Sequence, residues 1–221
     1  MKHLFLAILV FGFFSIGCKP TINEIFDSNS SIDSIDYTVI SCAIEQYFFI
    51  PNTLSHRFES TYDSLKKENW IVKHDEIKML LINDSTIRFE DSIPHFVHKK
   101  HNEIDSLDTK LTESIIDVNN KRYKIDNSRI TTIKTQLITD SEITNLLDSS
   151  FYYGYERIYE KFPAAYGIIE LSKPAYNASK EKTIIYIGFK KEMQSGQGVY
   201  MWLKKVNNKW ITYDLAFLWE L

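Results

Sequence analysis

Three histidines, His95, His98 and His101, recur every three residues and form the first group that could do chemistry. Imidazole nitrogens are common metal ligands, and on a helix this spacing would place the rings along a slowly drifting face. Lys99 and Lys100 lie between them, however, and their positive charge disfavours a bound cation. We therefore expect solvated loop histidines rather than a metal site, and the sequence predicts no cofactor.

Two carboxylates, Glu156 and Glu160, lie one helical turn apart in a tyrosine-rich segment. Paired carboxylates perform acid–base catalysis when their surroundings separate their pKa values. Arg157 and Lys161 flank this pair, and the apolar positions of the segment lie elsewhere. The pattern is more typical of an exposed helical face crossed by ion pairs.

The segment Ser195-Gly196-Gln197-Gly198 differs from two catalytic motifs that it superficially resembles. It is not the Gly-x-Ser-x-Gly nucleophile elbow, which needs a strand-to-helix turn, and it does not open a helix as a dinucleotide-binding loop does. Between two predicted strands, the glycines indicate a permissive hairpin loop over residues 191–198. The sequence also lacks a phosphate-binding loop, a His-Glu-x-x-His motif and a Cys-x-x-Cys motif, so it favours a binding module over an enzyme.

Tyrosines are concentrated in the last third of the chain. Aromatic rings with a polar tip often line glycan or peptide sites, but they are also ordinary strand residues. Both interpretations stay open for Tyr152, Tyr153, Tyr155, Tyr166, Tyr176, Tyr186, Tyr200 and Tyr213.

The first residues predict an exported, lipid-anchored protein. Lys2 precedes an apolar run that is too short for a spanning helix and ends in Ser15-Ile16-Gly17-Cys18. This ending resembles the lipobox of bacterial lipoproteins. The resemblance implies that residues 1–17 are a signal peptide and that Cys18 is acylated, with palmitate among its acyl chains, so that the membrane is a partner. Lys19 stands where aspartate marks inner-membrane retention, which favours the outer membrane, facing the periplasm.

Composition limits the rest of the molecule. Removing Lys2 with the signal changes the formal charge from −3 to −4, which gives no support to nucleic-acid binding. Once Cys18 carries lipid, Cys42 has no cysteine partner for a disulfide. The serine- and asparagine-rich stretch 18–34 predicts a flexible tether, and residues 35–221 predict a single domain.

Periodicity predicts the elements that position these residues. Helical spacing appears over 33–49, 107–119 and 151–162, with a hairpin at Asn119-Asn120 as the alternative to the second helix. Thr139 and Glu142 form a capping-box pattern for a short helix. Strands are predicted at 77–83, 129–138, 166–172, 182–190, 198–206 and 209–219, and Asn207-Asn208 is predicted to form the two-residue turn between the last pair. The odd positions 211–221 are all apolar, so Phe217 and Trp219 should face one core. We predict an α+β fold: an antiparallel sheet with a C-terminal four-stranded meander and helices packed on one face.

Scattered residues resemble a family of functionally uncharacterised bacterial envelope proteins, many with a lipoprotein signal. The likeness covers most of the mature chain and is specific mainly from Phe151 onward. It rests on Asp36-Tyr37-x-Val39-Ile40, Leu81-Ile82-x-Asp84-x-Thr86, Tyr159-Glu160-Lys161-Phe162-Pro163, Gly167-Ile168-Ile169-x-Leu171-Ser172-Lys173, Asn177, Gly196-x-Gly198-x-Tyr200-x-x-Leu203-x-Lys205, Lys209-Trp210 and Trp219. The resemblance implies the fold and an envelope location and carries no activity.

One segment departs from that family. Where the family usually has Ser-Arg-x-Gly-Phe-Asn, this chain has Ser172-Lys173-Pro174-Ala175-Tyr176-Asn177, which removes an arginine suited to bidentate carboxylate binding. We expect a membrane-tethered binding module for an envelope protein or glycan; the alternative is an envelope hydrolase with a site assembled from scattered residues. The predicted binding residues are Ser172, Lys173, Tyr176, Asn177, Gln194 and Gln197.

Overall fold

The computed structural model describes residues 31–49, 77–89, 109–147, 154–192 and 195–220. The signal peptide and most of the predicted tether therefore lie outside the described residues. The helices of the described part are α1 (Ser34–Phe49), α2 (Thr109–Val118), α3 (Asp140–Leu147) and α4 (Gly154–Lys161). The strands are β1 (Met79–Asn83), β2 (Thr135–Ile138), β3 (Ala165–Leu171), β4 (Ala175–Tyr176), β5 (Lys182–Glu192), β6 (Ser195–Val206) and β7 (Lys209–Glu220).

The strands form one mixed sheet in the order β2-β1-β3-β5-β6-β7, with β4 paired to β5 outside this path. The α+β class and the C-terminal antiparallel meander of β3, β5, β6 and β7 are confirmed. The prediction of a purely antiparallel sheet is wrong, because β1 pairs in parallel with both β2 and β3. The helices between these strands in the chain provide the long connections that parallel pairing requires.

Helices cover both faces of the sheet, so the prediction that they pack on one face is wrong. Leu80 and Ile82 of β1 belong to the same core cluster as the apolar side of α1. Met79 and Leu81 point the other way and pack with Ile158 of α4. Because β1 is buried on both faces, its sequence is a continuous apolar run rather than an alternation.

The helix α1 begins as the sequence predicts. The carbonyl of Asp33 accepts the first helical bond from the Tyr37 N–H at 3.3 Å. The carboxylate of Asp36 accepts in turn from the Asp33 N–H at 3.2 Å. This reciprocal arrangement satisfies amide groups that a helix start leaves without partners. It also fixes Asp36 at the first turn of α1.

Two other local predictions are confirmed in detail. The Glu142 N–H donates to Thr139 Oγ1 at 3.1 Å and the Thr139 N–H donates to Glu142 Oε2 at 3.3 Å, which is the reciprocal capping box that opens α3. Asn207 and Asn208 have φ values of 50° and 63° between β6 and β7. Positive φ at both central positions is what a tight two-residue hairpin of this type needs. The strand predicted over 129–138 is shorter and covers only β2.

The strand β7 does not keep one buried face. Its pairing with β6 shifts register twice, and Tyr213 and Leu218 are the extra residues. Each bulge reverses the side-chain alternation that follows it. Phe217 consequently packs against the core beneath α1, whereas Trp219 packs against the opposite core with Leu218. The predicted single apolar face is therefore wrong.

Gly196 and Gly198 are strand residues, so the hairpin loop predicted over residues 191–198 is wrong. The paired strands extend to Glu192 and Ser195. A Cβ on Gly198 would overlap the indole of Trp219, and one on Gly196 would lie 2.8 Å from the carbonyl of Phe189. These glycines permit close packing within the sheet.

Across the described ranges, every helix is too short or too polar to cross a lipid bilayer.

Candidate functional site

Two concave sites are lined in part by residues at the start of α1. We name one the lysine cleft, a cavity of about 490 Å³ defined by Asp33, Asp36, Lys121, Tyr123, Lys173 and Tyr176. We name the other the arginine groove, a cavity of about 430 Å³ defined by Ser34, Thr38, Cys42, Glu45, Arg129 and Thr131. Both volumes fall in the range typical of small-molecule sites.

A buried amide behind the lysine cleft holds two of its lining segments together. The Asn119 side chain, fully buried just after α2, donates to the carbonyls of Ile115 and Lys173, each at 2.9 Å. Its Oδ1 accepts from the Lys173 N–H at 2.7 Å. These three bonds hold the end of α2 against the segment that joins β3 and β4. The Lys173 side chain is thereby carried to the rim of the cleft.

Asp36 is the buried carboxyl of the lysine cleft. Its Oδ1 accepts from the Tyr176 hydroxyl at 2.8 Å, and Lys173 Nζ lies 3.8 Å from its Oδ2. Burial raises the pKa of the Asp36 carboxyl, and the hydrogen bond from Tyr176 acts in the opposite direction. Burial, followed by the nearby Asp36 charge, raises the pKa of Tyr176, so this phenol remains a hydrogen-bond donor at neutral pH.

Two lysines converge on the Tyr123 ring. Nζ of Lys173 lies 4.5 Å from the ring centroid and that of Lys121 lies 5.5 Å from it, both within cation–π range. The Lys173 side chain is 19% exposed. Its 3.8 Å separation from Asp36 is longer than a hydrogen bond, so with respect to the described residues this ammonium group retains donors for a ligand.

Only part of the predicted Ser172–Asn177 segment lines the cleft. Lys173 and Tyr176 do so, together with the β3–β4 connection. Ser172 is fully buried, and its hydroxyl accepts from the Tyr186 N–H at 2.9 Å. Asn177 accepts from the N–H groups of Glu181 and Lys182, each at 3.0 Å, and so shapes the turn before β5.

Gln197 lies away from the lysine cleft. Its side chain is buried and donates to the Tyr47 hydroxyl at 2.5 Å. Tyr47 is eleven residues beyond Asp36 on α1, which corresponds to about 16 Å along the helix. Gln197 and Tyr176 therefore contact α1 about three turns apart, and the structure does not bring these two predicted binding residues together. Gln194 lies outside the described residues.

The remaining residues that the sequence analysis singled out include exposed residues, residues buried in the core and residues outside the described ranges. Glu156 and Glu160 are exposed on α4, whereas Tyr186 and Tyr200 are buried in the core. The three histidines that were predicted to lie in a loop, His95, His98 and His101, fall outside the described residues. Within the described ranges, no three His, Cys, Asp or Glu side chains are grouped as a metal site would require.

The arginine groove is organised by Arg129, which sequence analysis did not identify. Its Nη2 donates to Ser34 Oγ at 2.7 Å and its Nη1 donates to the Ile32 carbonyl at 3.3 Å. The guanidinium carbon lies 4.2 Å from the centroid of the Tyr37 ring. Arg129 is the last residue of a 3₁₀ turn, Asn127–Arg129, that Asp126 caps, whereas the sequence pattern places it at the start of a strand.

Sequence analysis also did not identify Asp36 as a site residue. The available signal was a charged residue on the otherwise apolar side of α1, one turn before Ile40. A buried charge requires partners, and such a position points to a specific interaction.

The comparisons with known proteins give no family assignment: no family model, curated protein or solved structure matches this chain.

Proposed function

We propose that this protein is a lipid-anchored binding module of the bacterial cell envelope, held at the outer membrane facing the periplasm, and that the lysine cleft is its ligand site. The Gly17-Cys18 ending of the apolar leader supports the anchor. The lysine cleft supports the binding role, because it combines a cavity of small-molecule size with converging polar side chains.

The observation that carries the proposal is the environment of Lys173. Its ammonium group is held by the Tyr123 ring and by a long ion pair with Asp36, which positions the charge without using all its donors. An acceptor group on a ligand would complete this arrangement. The Tyr176 hydroxyl is already committed to Asp36, so Lys173 is the principal anchor.

The dimensions of the cleft favour a glycan over a folded envelope protein. Standard protein interfaces bury about 800 Å² on each partner and are extended surfaces. A cavity of about 490 Å³ is closer to the scale of a short oligosaccharide. We therefore propose that the ligand is an envelope glycan fragment that presents a carboxylate or another strong acceptor to Lys173.

The test is calorimetric titration of the mature protein with soluble peptidoglycan fragments and with lipopolysaccharide-derived oligosaccharides. Lys173→Gln should weaken binding by about tenfold or more, since a hydrogen bond to a charged group contributes about 1.5–3 kcal/mol. Lys209→Gln, on an exposed lysine where β7 begins, is the matched control and should bind as wild type does. Absence of glycan binding, or equal binding by both variants, would contradict the proposal.

An envelope hydrolase acting in the same cleft is the second candidate, and Asp36 is the observation in its favour. Burial raises the pKa of this carboxyl, as is required of a general acid at neutral pH. However, the Asp33 N–H and the Tyr176 hydroxyl already occupy its two oxygens, which favours a structural role. Release of reducing sugar ends by the purified protein, abolished in Asp36→Asn, would establish the hydrolase instead.

A further inference from the structure

We propose that the arginine groove binds an extended peptide of about five residues with free termini, its carboxylate on Arg129 and its amino group on Glu45. This second site is independent of the lysine cleft and of the ligand proposed there. It follows from the fixed geometry of Arg129, the position of Glu45 along α1 and the polar side chains between them.

The carboxylate end of the peptide binds the guanidinium of Arg129, which is held in place before the ligand arrives. Arginine has five N–H donors, and in the described structure Arg129 uses them on Ser34 Oγ and the Ile32 carbonyl. The Tyr37 ring supports the guanidinium plane. The remaining donors retain the fork geometry that suits a carboxylate.

A competing anion, Asp126, is already engaged by hydrogen bonds within its own turn. Hydrogen bonds from Ser128, and to a smaller extent the charge of Arg129, lower the pKa of the Asp126 carboxyl. The Ser128 N–H and hydroxyl donate to Asp126 Oδ1 at 3.0 Å and 2.6 Å. Because Asp126 is held by its own turn, it leaves the guanidinium edge accessible to a ligand.

The amino end is set by Glu45. This exposed carboxylate lines the same groove and has no ion pair with any residue that the structure describes. Glu45 lies eleven residues beyond Ser34, the residue that fixes Arg129. The two ends are therefore about 16 Å apart along α1, from the helical rise of about 1.5 Å per residue.

The groove between the two ends is polar. Thr38 and Ser41 lie on this side of α1 and face the Thr131–Thr132 segment, with the Thr131 N–H donating to Ser41 Oγ at 3.1 Å. An extended peptide rises about 3.3 Å per residue, so about five residues span the distance between Arg129 and Glu45. Hydroxyl groups suit the backbone amides of such a peptide, and opposite charges at the ends set its direction.

The test uses penta-alanine and its capped forms in calorimetric titrations of the mature protein. Amidation of the carboxylate and acetylation of the amino group should each weaken binding by about tenfold, because each removes a charged contact. Tri-alanine should also bind more weakly, since it cannot reach both ends. Equal binding of the free and capped peptides would overturn the proposal, as would preferential binding of a neutral oligosaccharide.

Variants assign each end of the peptide to its residue. Arg129→Gln should abolish the effect of amidation and retain that of acetylation, and Glu45→Gln should do the reverse. Arg157→Gln and Glu160→Gln on the exposed face of α4 are the matched controls. Lys173→Gln should bind penta-alanine as wild type does, which separates this site from the lysine cleft. If Arg129→Gln does not fold, the acetylation effect in Glu45→Gln decides alone: its persistence there would overturn the assignment.

Discussion

Asp36 combines two roles in a single carboxylate. One oxygen accepts from the Asp33 N–H and so completes the start of α1. The other oxygen accepts from the hydroxyl of Tyr176, which also lines the lysine cleft. A change at Asp36 therefore affects both the helix start and the cleft, and its protonation couples the two to pH.

The pH dependence of stability should reveal this coupling. Burial raises the pKa of Asp36 above its ordinary value of 3.8, so the folded state holds this proton more tightly than the unfolded chain does. The resulting stabilisation is fully present below pH 3.8 and is lost as the pH rises through the raised pKa. Asp36→Asn stays uncharged and lacks this loss. The stability of wild type relative to Asp36→Asn should therefore fall between acidic and neutral pH, as measured by urea unfolding.

The opposite pH trend would show that burial does not dominate the effect of Asp36 on stability. If wild type gained stability over Asp36→Asn as the pH rises, the hydrogen bonds and the Lys173 charge would outweigh burial. Glu113→Gln, on the exposed side of α2, is a control that should show no comparable trend.

The sequence predicts the location of some individual residues correctly and misplaces others. Lys173 and Tyr176 are predicted as binding residues because they belong to a connection between strands, where recognition residues are common, and both line the cleft. Gln197 was expected at the surface because two glycines surround it, yet it is buried against Tyr47. The glycines reflect close packing with β7 and β5 rather than a turn, and that packing involves partners distant in sequence.

The pairing of β6 with β7 shows why the presence of a strand is easier to predict from sequence than the way in which that strand packs. The Asn207-Asn208 turn and the apolar content of both strands are local signals, and both strands are confirmed. The two bulges depend on what lies across the sheet, including the Trp219 indole over Gly198. Likewise, the parallel pairing of β1 is decided by its partners β2 and β3, which lie far along the chain.

Substitution of Gly198 should test the importance of this close contact. In Gly198→Ala, the new Cβ would overlap the Trp219 ring, which also donates to the Tyr186 hydroxyl at 3.0 Å. Overpacking of this kind costs about 1–3 kcal/mol, so we expect the free energy of unfolding to fall by that amount. Chemical denaturation followed by tryptophan fluorescence measures the change.

A double variant separates the clash from other effects. Truncation of the ring in Trp219→Ala creates space, so adding Gly198→Ala to that background should cost much less than it does in wild type. Ser195→Ala, at the start of β6, should change stability by no more than about 0.5 kcal/mol. An undiminished cost of Gly198→Ala in the Trp219→Ala background would show that the clash is not its cause.

The predicted tether, residues 18–34, ends at the start of α1 and close to the lysine cleft. Asp33 lies both at the start of α1 and at the rim of the lysine cleft. If Cys18 is the lipidated residue, only the short segment up to Asp33 separates the lipid from that cleft. If this segment is the flexible tether that the sequence predicts, a chain of this length has a root-mean-square span of about 20 Å. The proposed ligand site would then operate close to the membrane surface.

Substitution of Cys18 tests the proposed lipid anchor. Cys18 follows Gly17 at the end of the apolar leader, and acylation there requires the thiol. Cys18→Ser should therefore remain uncleaved or unlipidated and incorporate no labelled palmitate, because the serine provides no thiol to acylate. Cys42→Ser is the matched control, since Cys42 lies on α1 within the domain, and it should label and fractionate as wild type does. Normal palmitate incorporation by Cys18→Ser would remove the proposed anchor, and with it the argument that the lysine cleft operates close to the membrane surface.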